Sequence, residues 1–152
     1  SPFDSYLMTL GLETLSLRVR HEVESARRLA EYCRNHPKVE RVSFVGFESH
    51  PSYANAKKYF RFGSSAVFTI ELKGTLDSTV RFVESLNLAA HMVMIGDSVT
   101  VVTHPASTTH KQLSDADLAA AGVTPTMLRI SVGLENTDDL IDDFEQAFAH
   151  IG

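Results

Sequence analysis

Two stretches of this chain carry side chains whose types and spacing invite chemistry. The first is His104-Pro105-Ala106-Ser107-Thr108-Thr109-His110, with three consecutive hydroxyls between a proline and a histidine. Such a run can accept, donate or relay protons, or it can simply serve a polar loop, which is the commoner use. The second is Arg129, set among Leu128, Ile130 and Val132. Side chains alternate between the faces of a strand, so Arg129 points away from that apolar set. An arginine there needs a partner. A salt bridge with a local carboxylate is the commoner case; the alternative is a fork for a substrate carboxylate, a two-pronged contact that lysine does not replicate.

Other chemistries are less well supplied. The seven histidines form no His-x-x-x-His pair, and His104 and His110 have no cysteine or carboxylate cluster beside them, so no metal site is expected. Cys33 falls on the inner stripe of an N-terminal helix and reads as a small buried hydrophobe rather than a nucleophile. Glu22, Glu24 and Glu31 read as a solvated face of the same helix. Gly96-Asp97 and Gly122 serve turns and form no phosphate loop.

With 152 residues, 43% hydrophobic and 22% charged, the chain has the size and composition of one soluble globular domain. A net charge of -5 argues against general nucleic-acid binding. No apolar run reaches the ~18 residues of a membrane span. A single cysteine excludes an internal disulfide and fits a reducing cytoplasm. Ser1-Pro2-Phe3-Asp4-Ser5 is no signal peptide. Ser1 in place of methionine reads either as a processed terminus or as the start of a piece from a longer protein.

The elements that must position these residues follow from periodicity. Ser1-Pro2 is a helix start. Phe3, Tyr6, Leu7 and Leu10, then Leu12, Leu15, Val19, Val23, Ala26, Leu29, Ala30 and Cys33, predict a helix of roughly 30 residues, about 45 Å long. It is bent at Gly11 and ended by His36-Pro37. Val39 to Phe47 reads as a short strand and its exit, and residues 50–60 as a loop with a short helix. Ser65 to Leu72 is the clearest strand. Thr75 to Leu86 has helical spacing at Leu76, Val80 and Val83. Residues 90–95 and 99–103 read as short strands around a Gly96-Asp97 turn. Ser114 caps a helix that Gly122 closes, residues 127–132 form a strand, and an amphipathic helix starts at Thr137. The expected class is α/β, one sheet with helices packed on a face. Residues 1–36 form a connecting helix and 37–152 an α/β sandwich.

Several motifs together resemble one family. They are His104–His110, Gln112-Leu113-Ser114, residues 120–125 (Ala-Ala-Gly-Val-Thr-Pro), Arg129-Ile130-Ser131-Val132-Gly133-Leu134-Glu135, and at the start Ser1-Pro2-Phe3 with residues 11–18. In this order they resemble the C-terminal domain of pyridoxal 5'-phosphate (PLP) enzymes of cysteine and methionine metabolism, specifically O-acetylhomoserine sulfhydrylases. The resemblance favours the chain being a piece of a longer protein whose large PLP-binding domain is absent. It implies the class α/β (α+β) with a mixed or antiparallel sheet.

It also implies a set of roles. Arg129 would grip the amino-acid α-carboxylate and orient it against the cofactor, and Thr109 would lie near the same pocket and position the arginine. Met94 departs from the family, which has serine or asparagine there; a thioether donates nothing, so only its backbone is left to serve. The five lysines, Lys38, Lys57, Lys58, Lys73 and Lys111, lack the family's Schiff-base context. The chain is therefore expected to hold no cofactor as an imine and to be inactive alone. The implied reaction of the parent makes homocysteine or methionine and acetate from O-acetyl-L-homoserine and sulfide or a thiol, in a cytoplasmic dimer or tetramer. A methionine γ-lyase, an O-succinylhomoserine sulfhydrylase and a free-standing amino-acid-binding regulatory module are the alternatives.

Overall fold

The computed structural model describes residues 1–151. Ser1 caps the first helix, α1 (Pro2–Glu13), by accepting from the Asp4 amide, while Asp4 reaches back to the Ser1 backbone. The long N-terminal helix is interrupted at Thr14, not bent at Gly11. Thr14 leaves helical geometry (φ -106°, ψ 3°) between α1 and α2 (Leu15–Asn35). The break is stabilised by Arg18, whose guanidinium donates to the freed Gly11 carbonyl at 3.0 Å and to the Thr14 hydroxyl. A carbonyl released by a helix break thus finds a charged donor.

No residue of α1 is buried. Leu15, Leu17 and Val19 at the start of α2 are exposed as well, so the apolar stripe does not face the core until later. Burial begins at Glu22 and continues through Ser25, Ala26, Leu29, Ala30 and Cys33, one face at helical spacing. Glu22 is therefore not on the solvated face; it is 4% exposed. Burial pushes its carboxyl above the usual range, while Arg18 and His21 pull it back. Glu24 and Glu31 do lie outward, paired with Arg27.

Five strands follow: β1 (Val39–Ser43), β2 (Val67–Leu72), β3 (Ala90–His91), β4 (Val101–Thr103) and β5 (Met127–Ser131). They form one mixed sheet in the order β1-β2-β5-β4-β3. All neighbours are antiparallel except β3 and β4. The expected pair of strands around Gly96 is thus not a hairpin. β3 ends at His91 because the chain leaves the sheet, and it returns to run parallel, with Ala90 opposite Val101. Residues 92–100 instead cross the sheet's other face, as described below.

Between the strands lie α3 (Tyr53–Tyr59), α4 (Leu76–Glu84), α5 (Asp115–Ala120) and α6 (Thr137–Ala149). Phe68, Ile70 and Leu72 of β2, Leu128 and Ile130 of β5 and Val102 of β4 point to one face and meet α2, α4 and α6 in the core. On α4 the inward residues are Ser78, Thr79, Phe82 and Val83; Leu76 is exposed and Val80 half-buried, so the buried face is rotated from the expected Leu76-Val80-Val83 stripe. No helix among the described residues is long and apolar enough to cross a membrane.

Two polar anchors fix α6. The Lys38 ammonium donates to the Phe148 carbonyl at 2.7 Å and to that of Ile151, matching a cation to the negative end of the helix. Asp143, buried to 4% exposure, accepts from the backbone amides of Asn87 (2.8 Å), Leu88 (3.1 Å) and Ala89 (2.9 Å) and from the Gln146 amide (3.1 Å). One carboxylate therefore satisfies three amides that lead into β3. Asp143→Ala strands those amides and is expected to lower stability by about 2–4 kcal/mol in urea unfolding; a loss below about 0.5 kcal/mol would mean that water replaces the carboxylate without penalty.

Candidate functional site

β5 lies in the middle of the sheet, and its alternation sends Arg129 to the face opposite the helical core. Thr69 of β2 and Thr103 of β4 sit directly beside it in register. Arg129 Nη2 donates to Thr103 Oγ1 at 3.2 Å and to the Met94 carbonyl at 3.4 Å. The Thr103 hydroxyl donates in turn to the Met92 carbonyl at 2.6 Å, which leaves its lone pairs turned to the arginine. Arg129 Nε is buried with no partner. No carboxylate among the described residues lies within salt-bridge distance of Arg129. The local salt bridge, the commoner expectation for such an arginine, is not made. The guanidinium is half-buried, held by neutral acceptors on one side and unsatisfied at Nε.

The segment that passes in front of it is fastened by the residues that follow Arg129. Ser131 Oγ accepts from the Gly96 amide at 3.2 Å, and the Leu134 amide donates to the Ser98 carbonyl at 2.8 Å. The Gly133 amide donates to Thr100 Oγ1 at 2.9 Å. Glu135 takes both the Thr100 amide (2.6 Å) and its hydroxyl (2.7 Å). A Cβ on Gly133 would lie 2.5 Å from the Ser98 carbonyl oxygen and 2.6 Å from the Thr100 nitrogen, so only glycine allows the two backbones to approach this closely. The Arg-x-Ser-x-Gly-x-Glu sequence is thus a row of contacts to residues 94–100.

The hydroxyl-rich run is mostly architecture. Residues Pro105–Ser107 form a short 3-10 turn. His104 is buried, with Nε2 2.9 Å from the Pro125 carbonyl and Nδ1 2.8 Å from Ser107 Oγ. A carbonyl only accepts, so Nε2 carries the proton and Nδ1 accepts from Ser107. Thr108 donates to the His104 carbonyl at 2.7 Å. Thr109 is exposed, and its hydroxyl contacts Nδ1 of His110 at 2.8 Å. The hydroxyl that holds Arg129 is that of Thr103, not Thr109. Met94 offers Arg129 its carbonyl, while its side chain is exposed.

The sequence and the fold that carry this cluster have counterparts among known proteins. The family described as Cys/Met metabolism PLP-dependent enzyme matches residues 1–149. The chain belongs to that family. It is 46% identical over 147 residues to homocysteine synthase of Schizosaccharomyces pombe, covering 97% of this chain and 34% of that protein. It is 43% identical over 148 residues to O-acetyl-L-homoserine sulfhydrylase 1 of Thermus thermophilus, with 97% and 35% covered. A crystal structure of a putative O-acetylhomoserine (thiol)-lyase from Campylobacter jejuni superposes with a TM-score of 0.89 at 36% identity, covering 98% of this chain and 35% of that one. That structure carries a pyridoxyl phosphate group on a lysine. The chain spans about a third of the length of these relatives.

Lys38 is committed to the end of α6, Lys57 and Lys58 sit over the rings of Tyr53 and Tyr59, and none is bonded within the Arg129 cluster. No three His, Cys, Asp or Glu side chains converge to hold a metal ion among the described residues. Cys33 is fully buried, and burial pushes its thiol far up, away from the reactive thiolate.

Two outcomes follow from this geometry. Gly133→Ala forces the 98–100 backbone to shift and is expected to cost about 1–3 kcal/mol in denaturant unfolding; an unchanged midpoint would mean that the two segments separate freely. For His104, burial holds the imidazole below its ordinary 6.5, with His91 acting in the same direction and the Pro125 carbonyl opposing. The unfolded chain therefore binds this proton first as pH falls below 6.5, and stability is lost from there downward. His36 is depressed by burial too and adds the same sign. In a pH series of unfolding curves the His104→Gln variant should show a shallower decline as pH falls below 6.5; a slope parallel to that of the unaltered chain would remove His104 as a source.

Proposed function

We propose that this domain supplies the carboxylate-binding wall of an O-acetylhomoserine sulfhydrylase. The observation that carries this reading is the buried Nε of Arg129, which has no partner among the described residues, on a guanidinium that no carboxylate among those residues pairs. An amino-acid carboxylate placed against that edge would accept from Nε while Nη2 stays anchored to Thr103 and the Met94 carbonyl. Lateral anchoring fixes the plane of the fork before the ligand arrives, so little further ordering is required on binding.

The substrate is then O-acetyl-L-homoserine, which with sulfide or a small thiol gives homocysteine or methionine and acetate. The relatives named for these activities support the assignment. The cofactor and its lysine belong to a large domain of the parent outside this chain, so the domain alone is inactive and contributes binding and orientation. In this reading Thr109 would lie near the bound carboxylate, and Met94 would contribute backbone rather than side chain. The parent works as a cytoplasmic dimer or tetramer.

The test uses the full-length parent loaded with its cofactor. Arg129→Ala removes charge-assisted hydrogen bonds of about 1.5–3 kcal/mol, so KM for the amino acid should rise roughly 10- to 150-fold while the cofactor absorbance is kept. Thr103→Val, which leaves the charge but frees the guanidinium, should raise KM by a smaller factor. Unchanged KM in Arg129→Ala would take the arginine out of the site. Assays with the acetyl and succinyl esters and with methionine separate the sulfhydrylase from the succinyl-ester enzyme and the γ-lyase.

A further inference from the structure

A concavity of about 460 Å³ opens on the β1 edge of the domain, two strands from Arg129, between α2, α3 and the loop that precedes β2. Its size lies in the range of small-molecule sites. Its charge runs against that of the chain: Arg20, Arg27, Lys57 and Arg61 line it against the single carboxylate of Glu24, on a molecule whose net charge is -5. Glu24 is already taken by Arg27, at 2.7 Å. Arg20, Lys57 and Arg61 have no salt-bridge partner among the described residues.

The same concavity is lined by rings. Phe60 and Phe62 are 51% and 76% exposed, whereas every other phenylalanine outside α1 is buried. Arg20 sits over Phe62 at 5.1 Å and Lys57 over Tyr53 at 5.7 Å, which holds the cations beside the aromatic surface. Gly63 turns the chain beneath Phe62 at φ +130°, where a Cβ would meet Val23 at 2.5 Å.

We infer that this concavity binds a small phosphorylated aromatic molecule of the nucleotide class. A monocarboxylate would leave most of three unmatched cations unanswered. A phosphate monoester brings about -1.5 to -2 charges and three acceptor oxygens at neutral pH. An attached planar base accounts for the exposed rings, on which it can stack. The site is independent of the Arg129 reading and stands or falls without it.

The experiment is calorimetric titration of adenosine monophosphate into the cofactor-loaded full-length parent, at low and at physiological ionic strength. Saturable binding is expected, weaker at higher salt and at least tenfold weaker in the Lys57→Ala/Arg61→Ala double variant. Phe62→Ala should weaken it severalfold, and adenosine or inorganic phosphate alone should bind at least tenfold less tightly. Both altered cations are exposed surface residues away from Arg129, so turnover of the double variant reports that it is folded. Absence of saturable binding overturns the inference. So does binding that the double variant leaves unchanged.

Discussion

The sheet carries a guanidinium near its centre that no carboxylate among the described residues answers, and much of the surrounding structure follows from that. A cation withdrawn from water on one side needs acceptors, or it destabilises the fold. Here the acceptors are a hydroxyl and a peptide carbonyl, Thr103 Oγ1 and Met94 O. They satisfy Nη2 without neutralising the charge. A carboxylate in their place would have closed the site to any anionic ligand.

Neutral acceptors hold a cation less firmly than an ion pair does, so the elements that present them have to be rigid. Residues 92–100 have no strand partners of their own along most of their length, since β3 ends at His91. Their rigidity is borrowed from β5 and its continuation. Ser131, Gly133, Leu134 and Glu135 each bond to this segment, at Gly96, Ser98 or Thr100. The chain that carries the arginine also builds the wall in front of it. This coupling explains why one short motif holds a charged residue, a hydroxyl, a glycine and a carboxylate at alternate positions. Only the first has ligand chemistry to offer; the other three set where the facing backbone lies.

Periodicity made the local part of this legible. β2, β5 and α6 fall where the apolar spacing places them, because each buries one face against a single core; α4 has the expected span, but of Leu76, Val80 and Val83 only Val83 is buried. The same alternation assigns Arg129 to the opposite face. What periodicity does not carry is pairing across distance. Thr103 meets Arg129 from 26 positions away, and Ser131 reaches Gly96 from 35. Thr103 is one threonine among many until the β4–β5 register is known. The parallel pairing of β3 with β4 was hidden for the same reason, since a glycine turn between two short apolar runs looks locally like a hairpin. Glu22 was hidden by its residue type: its spacing with Ala26, Leu29 and Cys33 places it inward, but a carboxylate normally marks a solvated face. The helix break went to Thr14 because a side chain four residues on, Arg18, stabilises the broken turn, whereas Gly11 offers only permissiveness.

The same incompleteness recurs at α1. Twelve residues of helix with no buried side chain are marginal in water by themselves. The capping box at Ser1 and the Arg18 bridge at Thr14 contribute, but neither buries Phe3, Tyr6, Leu7 or Met8. Under the proposed function, the uncovered apolar face of α1 and the arginine without an anion would both be surfaces whose complement comes from outside this domain. In the proposed enzyme the two complements differ in permanence. The parent's large domain would cover α1 continuously, whereas the anion at Arg129 arrives and leaves with each turnover. That difference accounts for how each is built. The permanent contact is made of flexible apolar side chains that pack only when covered. The transient one is made of a charge whose plane is fixed in advance by Thr103 and the 94–100 backbone.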